Sequence, residues 1–291
     1  LQCNTKELFD KFLGKYSRKL TDEQMLAVAD KFNDANSSPL YAFIIAQELR
    51  YLKSGDEIDI ANDVPSAVNE FIDNLKNLYY QEERLIQKVL SYIAFSKYGI
   101  SENELLDLLS QDIKKDKEFQ KRVFSIQKTD DIVFPTSLWA SLYSLLEPFL
   151  TLVQKDDKLL INFVHRQFVW TVSKRYEKYK EETHAILAKY FCAFDRKDKL
   201  WNERYYSLRA LSEIFYHLYH SNSKNLETYL NDLELIGSIY DSEKYEDFRE
   251  ILDILDEDKF FVQKSFYREK DYLIKGVDKK RFTAHTVLFQ L

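Results

Sequence analysis

The chain has 291 residues, 45% of them hydrophobic and 15% aromatic, and a chain of this size buries roughly 75% of its unfolded surface, more than one compact domain requires. Only 5 Gly and 4 Pro stand against 42 Lys+Arg and 48 Asp+Glu, which argues against a Gly-punctuated β or dinucleotide-binding fold and for a mostly α protein with short connections. The net charge of −6 speaks against general affinity for nucleic acid or anionic lipid.

No run approaches about 18 consecutive apolar residues, so no membrane span is expected. Cys3 and Cys192 form neither a disulfide framework nor a metal-ligand spacing, and no secretory leader opens the chain, so a cytoplasmic setting is expected. The start, LQCNTKELFDKF, lacks Met and is already helix-patterned. We therefore expect a segment of a longer protein.

Taken in chain order, Leu8, Phe9, Phe12 and Leu13 form one amphipathic stripe that Gly14 closes. Thr21 is the expected N-cap of a second helix, with Gln24 completing a capping box. Pro39 falls in the first turn of a third, followed by Leu40, Phe43, Ile44, Ala46 and Leu49. These define a helical subdomain over 1–53. The polar stretch 53–65, with Gly55 and Pro65, reads as a linker.

From Ser66 a helix runs to about Tyr80, and another carries Leu85, Ile86, Val89, Leu90, Ile93 and Ala94. Gly99 marks a tight turn, and Ser101 with Glu104 forms a second capping box before a short helix. A charged insertion covers 111–130, and the helix in FPTSLWASLYSLLEPFL should stop at Pro148. Two β-favouring runs then flank Lys155-Asp156-Asp157-Lys158, a hairpin signal.

Helices, a hairpin, then a helix is the layout of a winged-helix domain, which we place at 66–176. The DNA-binding version needs a basic face, whereas these residues hold 15 Lys+Arg and 15 Asp+Glu, 15 − 15 = 0. Over 177–291, apolar stripes alternate with polar breaks as in solenoid-like helix pairs, without a fixed repeat period.

Catalytic motifs are scarce. The chain has no G-x-x-x-x-G-K-[ST], H-E-x-x-H, C-x-x-C or G-x-S-x-G. His217 and His220 share a helix face and could bind zinc given a third ligand; a surface or half-buried pair is the plainer reading. Tyr205, Tyr206, Phe215, Tyr216 and Tyr219 form an aromatic stripe that is either a ligand groove or helix-packing core. Charged runs such as DIKKDKEFQKR read as solvated faces.

In KLLINFVHRQFVW, strand alternation passes into a helical pattern at His165. A helix start leaves backbone N–H groups free for an anion, and a neutral imidazole there can donate one more hydrogen bond. A histidine capping a buried corner is the other reading. Pro39 by itself reads as a plain first-turn proline.

The blocks NSSPLYAFIIAQELR, LIQKVLSYIAFSKYGISENELLDLL, SLWASLYSLLEPFL, LLINFVHRQFVWTVSKRY and THAILAKYF stand in that order. Their order and spacing resemble the region following the nucleotide-binding core of NACHT-type STAND NTPases, the telomerase-associated protein and nephrocystin group and bacterial relatives in particular. The resemblance spans roughly 5–220 and is most specific in HRQF and SPLY…ELR.

It implies that Pro39 packs on adenine and that His165 reads the ADP phosphate; Arg166 is either a second anion partner or a solvent or salt-bridge residue. It further implies ADP/ATP with Mg in the parent protein, an upstream nucleotide-binding core as partner, and self-assembly or a protein partner through the helical region. Defence signalling is a family-level implication. The chain itself lacks Walker A and Walker B elements, so no enzyme activity and no cofactor of its own are expected. The competing expectation is an independent helical scaffold for protein–protein interaction without nucleotide.

Overall fold

The computed structural model describes residues 5–35, 38–50, 53, 55, 58–123, 133–193, 196–197, 204–230, 232, 235, 238–239, 246, 248–251 and 254. The described residues are mostly helical: α1 (Thr5–Gly14), α2 (Asp22–Asp34), α3 (Pro39–Leu49), α4 (Val64–Asn77), α5 (Glu83–Phe95), α6 (Glu102–Lys115), α7 (Lys117–Val123) and α8 (Thr136–Leu146). A 3-10 turn at Glu147–Phe149 leads into the hairpin β1 (Leu150–Lys155) and β2 (Lys158–Phe163). Then come α9 (Arg166–Arg175), α10 (Lys180–Cys192), the two-residue strands β3 (Arg196–Lys197) and β4 (Arg204–Tyr205), α11 (Leu208–His220) and α12 (Leu226–Leu230). The expected irregular end, LIKGVDKKRFTAHTVLFQL, lies outside the described residues.

Local chemistry sets most boundaries. α1 does end at Gly14, and Thr21 caps α2 in a complete capping box with Gln24. Ser38 caps α3 and places Pro39 in its first turn, where a missing N–H costs nothing. The linker expected up to Pro65 is shorter than its composition suggested. Asp63 caps α4 by accepting from the Ser66 N–H at 2.7 Å, so Val64 and Pro65 are already first-turn residues. The charged insertion is also smaller than expected, because α6 continues to Lys115 and α7 follows. Residues 124–130 lie outside the described residues. Nor is that run wholly a solvated face: Asp112 and Phe119 are buried, and Asp112 lies 3.6 Å from Lys88 Nζ.

The helix through Trp139 stops at Leu146, and the 3-10 turn holds Pro148. In the hairpin, Asp156 and Asp157 both have positive φ, 52° and 58°. That pair of left-handed residues is the type I′ turn whose twist matches paired antiparallel strands. Ile100 and Ile161 form an antiparallel bridge, their N–H groups donating to each other's carbonyls at 3.0 and 2.8 Å. β2 thus pairs with β1 on one side and with Ile100 on the other, the three-strand wing arrangement.

The chain folds into two compact units, neither contiguous in sequence. One comprises Leu1–Leu90, Leu109–Thr151 and Phe163–Glu177; the other comprises Ser91–Leu108, Leu152–Asn162 and Lys178–Leu291. In the first, α3 packs on α1 and α4, and α4 on α9. Phenylalanines fill the space between: Phe43 meets Phe149 edge to face at 5.6 Å, and Phe149 stacks on Phe168 at 5.0 Å and lies 4.5 Å from Phe71. In the second, α10 and α11 pack as a pair over Leu187, Phe191, Ile214 and Leu218, all buried.

Candidate functional site

The corner at the end of the wing is built by its backbone. Val164 donates its N–H to the Phe149 carbonyl at 2.9 Å, and His165 then takes an extended conformation (φ −126°, ψ 132°) as the N-cap of α9. Its Nδ1 accepts from the Gln167 N–H at 3.1 Å, while its carbonyl receives the N–H groups of Phe168 and Val169 at 3.0 and 3.2 Å. A backbone amide can only donate, so Nδ1 holds a lone pair and the proton of the neutral ring sits on Nε2. His165 is exposed. It therefore offers an N–H donor at the mouth of a helix.

The expected ring of unpaired amides around it is smaller than the sequence suggested. Gln167 and Phe168 are satisfied by His165 itself, which leaves the Arg166 amide, among the described residues, as the first-turn donor open to an anion. Arg166 is exposed, with no ion pair among the described residues. One turn on, Trp170 is 55% exposed, and Lys174 follows a turn later beside Glu177 at 3.2 Å.

Pro39 is exposed at the start of α3. Phe43, one turn into α3, and Phe168, in the first turn of α9, both pack on Phe149, so the starts of the two helices flank one aromatic cluster. No hydrogen bond or ring contact links Pro39 to His165.

The helix that would read DNA in a winged-helix protein is α8, and its exposed residues are Thr136, Ser137, Ala140, Ser141 and Ser144. The helix carries no charged residue. A reader of bases and phosphates draws on Arg or Lys at that face.

A second polar cluster lies in the other unit, fully buried. Arg209 (2% exposed) pairs with Glu213 and Glu104, and its Nη2 donates to the Gly99 carbonyl at 2.5 Å. His217 donates from Nε2 to Glu213 Oε2 at 2.8 Å, and its Nδ1 lies 2.8 Å from Nδ1 of His184. Since His217 gives its proton to the carboxylate, His184 must donate Nδ1–H to His217. The lone pair left on His184 Nε2 is buried without a protein partner.

Burial would raise the Glu213 carboxyl, but the Arg209 guanidinium and the His217 N–H hold it below its ordinary value. Burial lowers His217 despite that carboxylate. Burial, then His217 and His220, push His184 down to about 2; burial and Lys180 bring His220 to about 4. These imidazoles stay neutral at ordinary pH.

The histidine pair departs in part from the expected surface or half-buried placement. His217 is fully buried and only His220 is half-buried, because His184, 33 residues upstream, packs against both. No group of three or more His, Cys, Asp or Glu placed to hold a metal occurs among the described residues. Of the aromatic stripe, Phe215 is core and Tyr206, Tyr216 and Tyr219 are half-buried; the Tyr205 side chain lies outside the described residues. His184, Arg209 and Glu213 were not singled out from the sequence. The available signal was the four-residue spacing of Arg209, Glu213 and His217, which stacks three polar groups on one helix face.

Helices, an Ile100 strand, a hairpin and a closing helix define a winged-helix domain. The family described as NWD1-like, winged helix-turn-helix domain matches residues 80–184. The human NACHT domain- and WD repeat-containing protein 1 is 30% identical over 192 residues, 56% of this chain and 12% of that protein. The mouse NACHT and WD repeat domain-containing protein 2 is 25% identical over 184 residues, 62% of this chain and 10% of that protein. The chain thus spans about a tenth of the length of these relatives. They support the NACHT-associated resemblance, but not the telomerase-associated and nephrocystin group in particular. No solved structure matches. No described helix is long and apolar enough to cross a membrane.

Proposed function

We propose that this chain is a regulatory segment of a NACHT-type STAND NTPase, acting as a nucleotide-dependent conformational switch in a cytoplasmic parent protein. The observation that carries this reading is the state of His165: it caps α9 through Nδ1 and so presents Nε2–H outward from an exposed helix start. Such a donor suits a phosphate oxygen of ADP held by an upstream core, with the Arg166 amide and side chain beside it. Pro39 would contribute the apolar contact to adenine. A bound nucleotide, with Mg, would supply the charge difference that such a switch reads.

A ligand shifts a conformational equilibrium only by its differential contacts, and a donor that meets one nucleotide state and not the other is such a contact. The helices after the wing would pass the change to a protein partner or to a second copy. The sequence carries no G-x-x-x-x-G-K-[ST] motif, so hydrolysis is not assigned to this chain.

The test is the nucleotide retained by the intact parent protein on purification. His165→Ser keeps an N-cap acceptor and removes the Nε2–H donor. We expect this variant to fold with unchanged helicity and to lose ADP relative to the wild type. Unchanged ADP content and unchanged signalling would remove His165 from the mechanism and leave the helical interaction scaffold as the better reading.

A further inference from the structure

Glu104 begins as a local device. It is the third helical residue of α6, its Oε2 accepts the Ser101 N–H at 3.0 Å, and Ser101 Oγ accepts the Glu104 N–H at 3.4 Å. A capping box of this kind ordinarily sits at the surface, with the carboxylate solvated. This carboxylate is 1% exposed. The same two oxygens also receive Lys158 Nζ at 3.0 Å, from the first residue of β2, and Arg209 Nε at 3.3 Å, from the first turn of α11.

Arg209 in turn donates to the Gly99 carbonyl, next to the Ile100–Ile161 bridge that sets the wing. We propose that Glu104 is a shared latch: a single buried carboxylate that locks the wing and α11 to the start of α6, so that displacing either one releases the other.

The physical reason is the cost of an unpaired buried charge. If the wing shifts and Lys158 withdraws, Glu104 loses one of its two cations in a site with little water, and Arg209 is left with a poorer partner arrangement. The lowest-energy response is to move Arg209 and with it the first turns of α11, not to strand the carboxylate. Coupling of this kind needs no continuous wire, only an element with two arrangements that both arms bias.

Hydrogen exchange on the full chain separates the latch from the cap. Glu104→Gln keeps the capping box, because Gln serves equally at that position, and removes the charge that both cations share. We expect exchange to rise about tenfold or more, together, at the Ile161 amide and at the α11 amides from Leu211 to Ile214. Ser101→Ala should raise exchange at the start of α6 alone.

Lys158→Met, at a half-exposed position on the hairpin, carries the same test should Glu104→Gln fold poorly: α11 amides should exchange faster although no residue of α11 has changed. Wild-type protection of α11 in Lys158→Met, or in a folded Glu104→Gln, would overturn the proposal.

Discussion

At Gly99 a Cβ would stand 2.5 Å from the Ile161 carbonyl oxygen, and the backbone there has φ +100°. Both facts forbid a side chain, the first because the Ile100–Ile161 bridge draws two backbones together, the second because L-residues avoid that region. Gly99→Ala is expected to cost about 1–3 kcal/mol from backbone strain, with further loss as the bridge opens. Chemical denaturation of the variant checks this. The turn itself was legible, since Gly between two helical patterns before a capping box has few other uses. That its neighbour is a strand was not, because Ile161 lies 61 positions away.

His165 shows the same division. Its place at the strand-to-helix corner follows from a change of hydrophobic period within thirteen residues. Which ring nitrogen faces outward follows only from the Gln167 amide it caps.

Among the elements, the hairpin is the clearest case of a fold written locally. Lys155-Asp156-Asp157-Lys158 places two turn-tolerant residues between β-favouring runs, and both adopt left-handed backbone. Glycine accepts that conformation without the Cβ penalty, so Asp157→Gly is expected to stabilise the protein by about 0.5–1 kcal/mol. A higher urea midpoint at unchanged slope is the expected readout.

α6 and α4 were read less well. Asp112 and the lysines near it look like a loop, yet Lys88 on α5 covers that carboxylate, so the helix runs on. Pro65 looks like the end of a linker, yet proline in a first turn is neutral. In both places a tertiary partner or a cap overrode composition. The buried cluster around Arg209 was least legible of all, because Glu104 and Gly99 lie 105 and 110 positions from it, and reading one helix at a time cannot pair them.

At the scale of the molecule, buried groups in the two units respond to acid in opposite directions. In the second, His184 and His220 resist protonation down to about 2 and about 4, whereas the unfolded chain takes up those protons near 6.5. Their contribution is complete above 6.5 and falls as the pH drops below it. In the first unit, burial and then the charge of Glu70 raise Glu48 to about 7 from an ordinary 4.5. That contribution is complete below 4.5 and falls as the pH rises through 7.

Glu48→Gln keeps the acceptor that Asn74 uses at 3.1 Å. It should raise stability at about pH 7.5 and leave it nearly unchanged at about pH 4.5, as read by denaturant titration at the two values. An equal effect at both would mean that folding does not raise the Glu48 carboxyl.

Trp170, half out in solvent one turn from His165, gives the protein a built-in optical reporter. Trp139 is buried in α8 and should emit at short wavelength, insensitive to what happens at the α9 corner. With Trp139 and Trp201 replaced by Phe, the remaining indole would shift its emission, or become shielded from a soluble quencher, whenever another surface covers that corner. Covering of that corner could then be followed by light alone, with no added label.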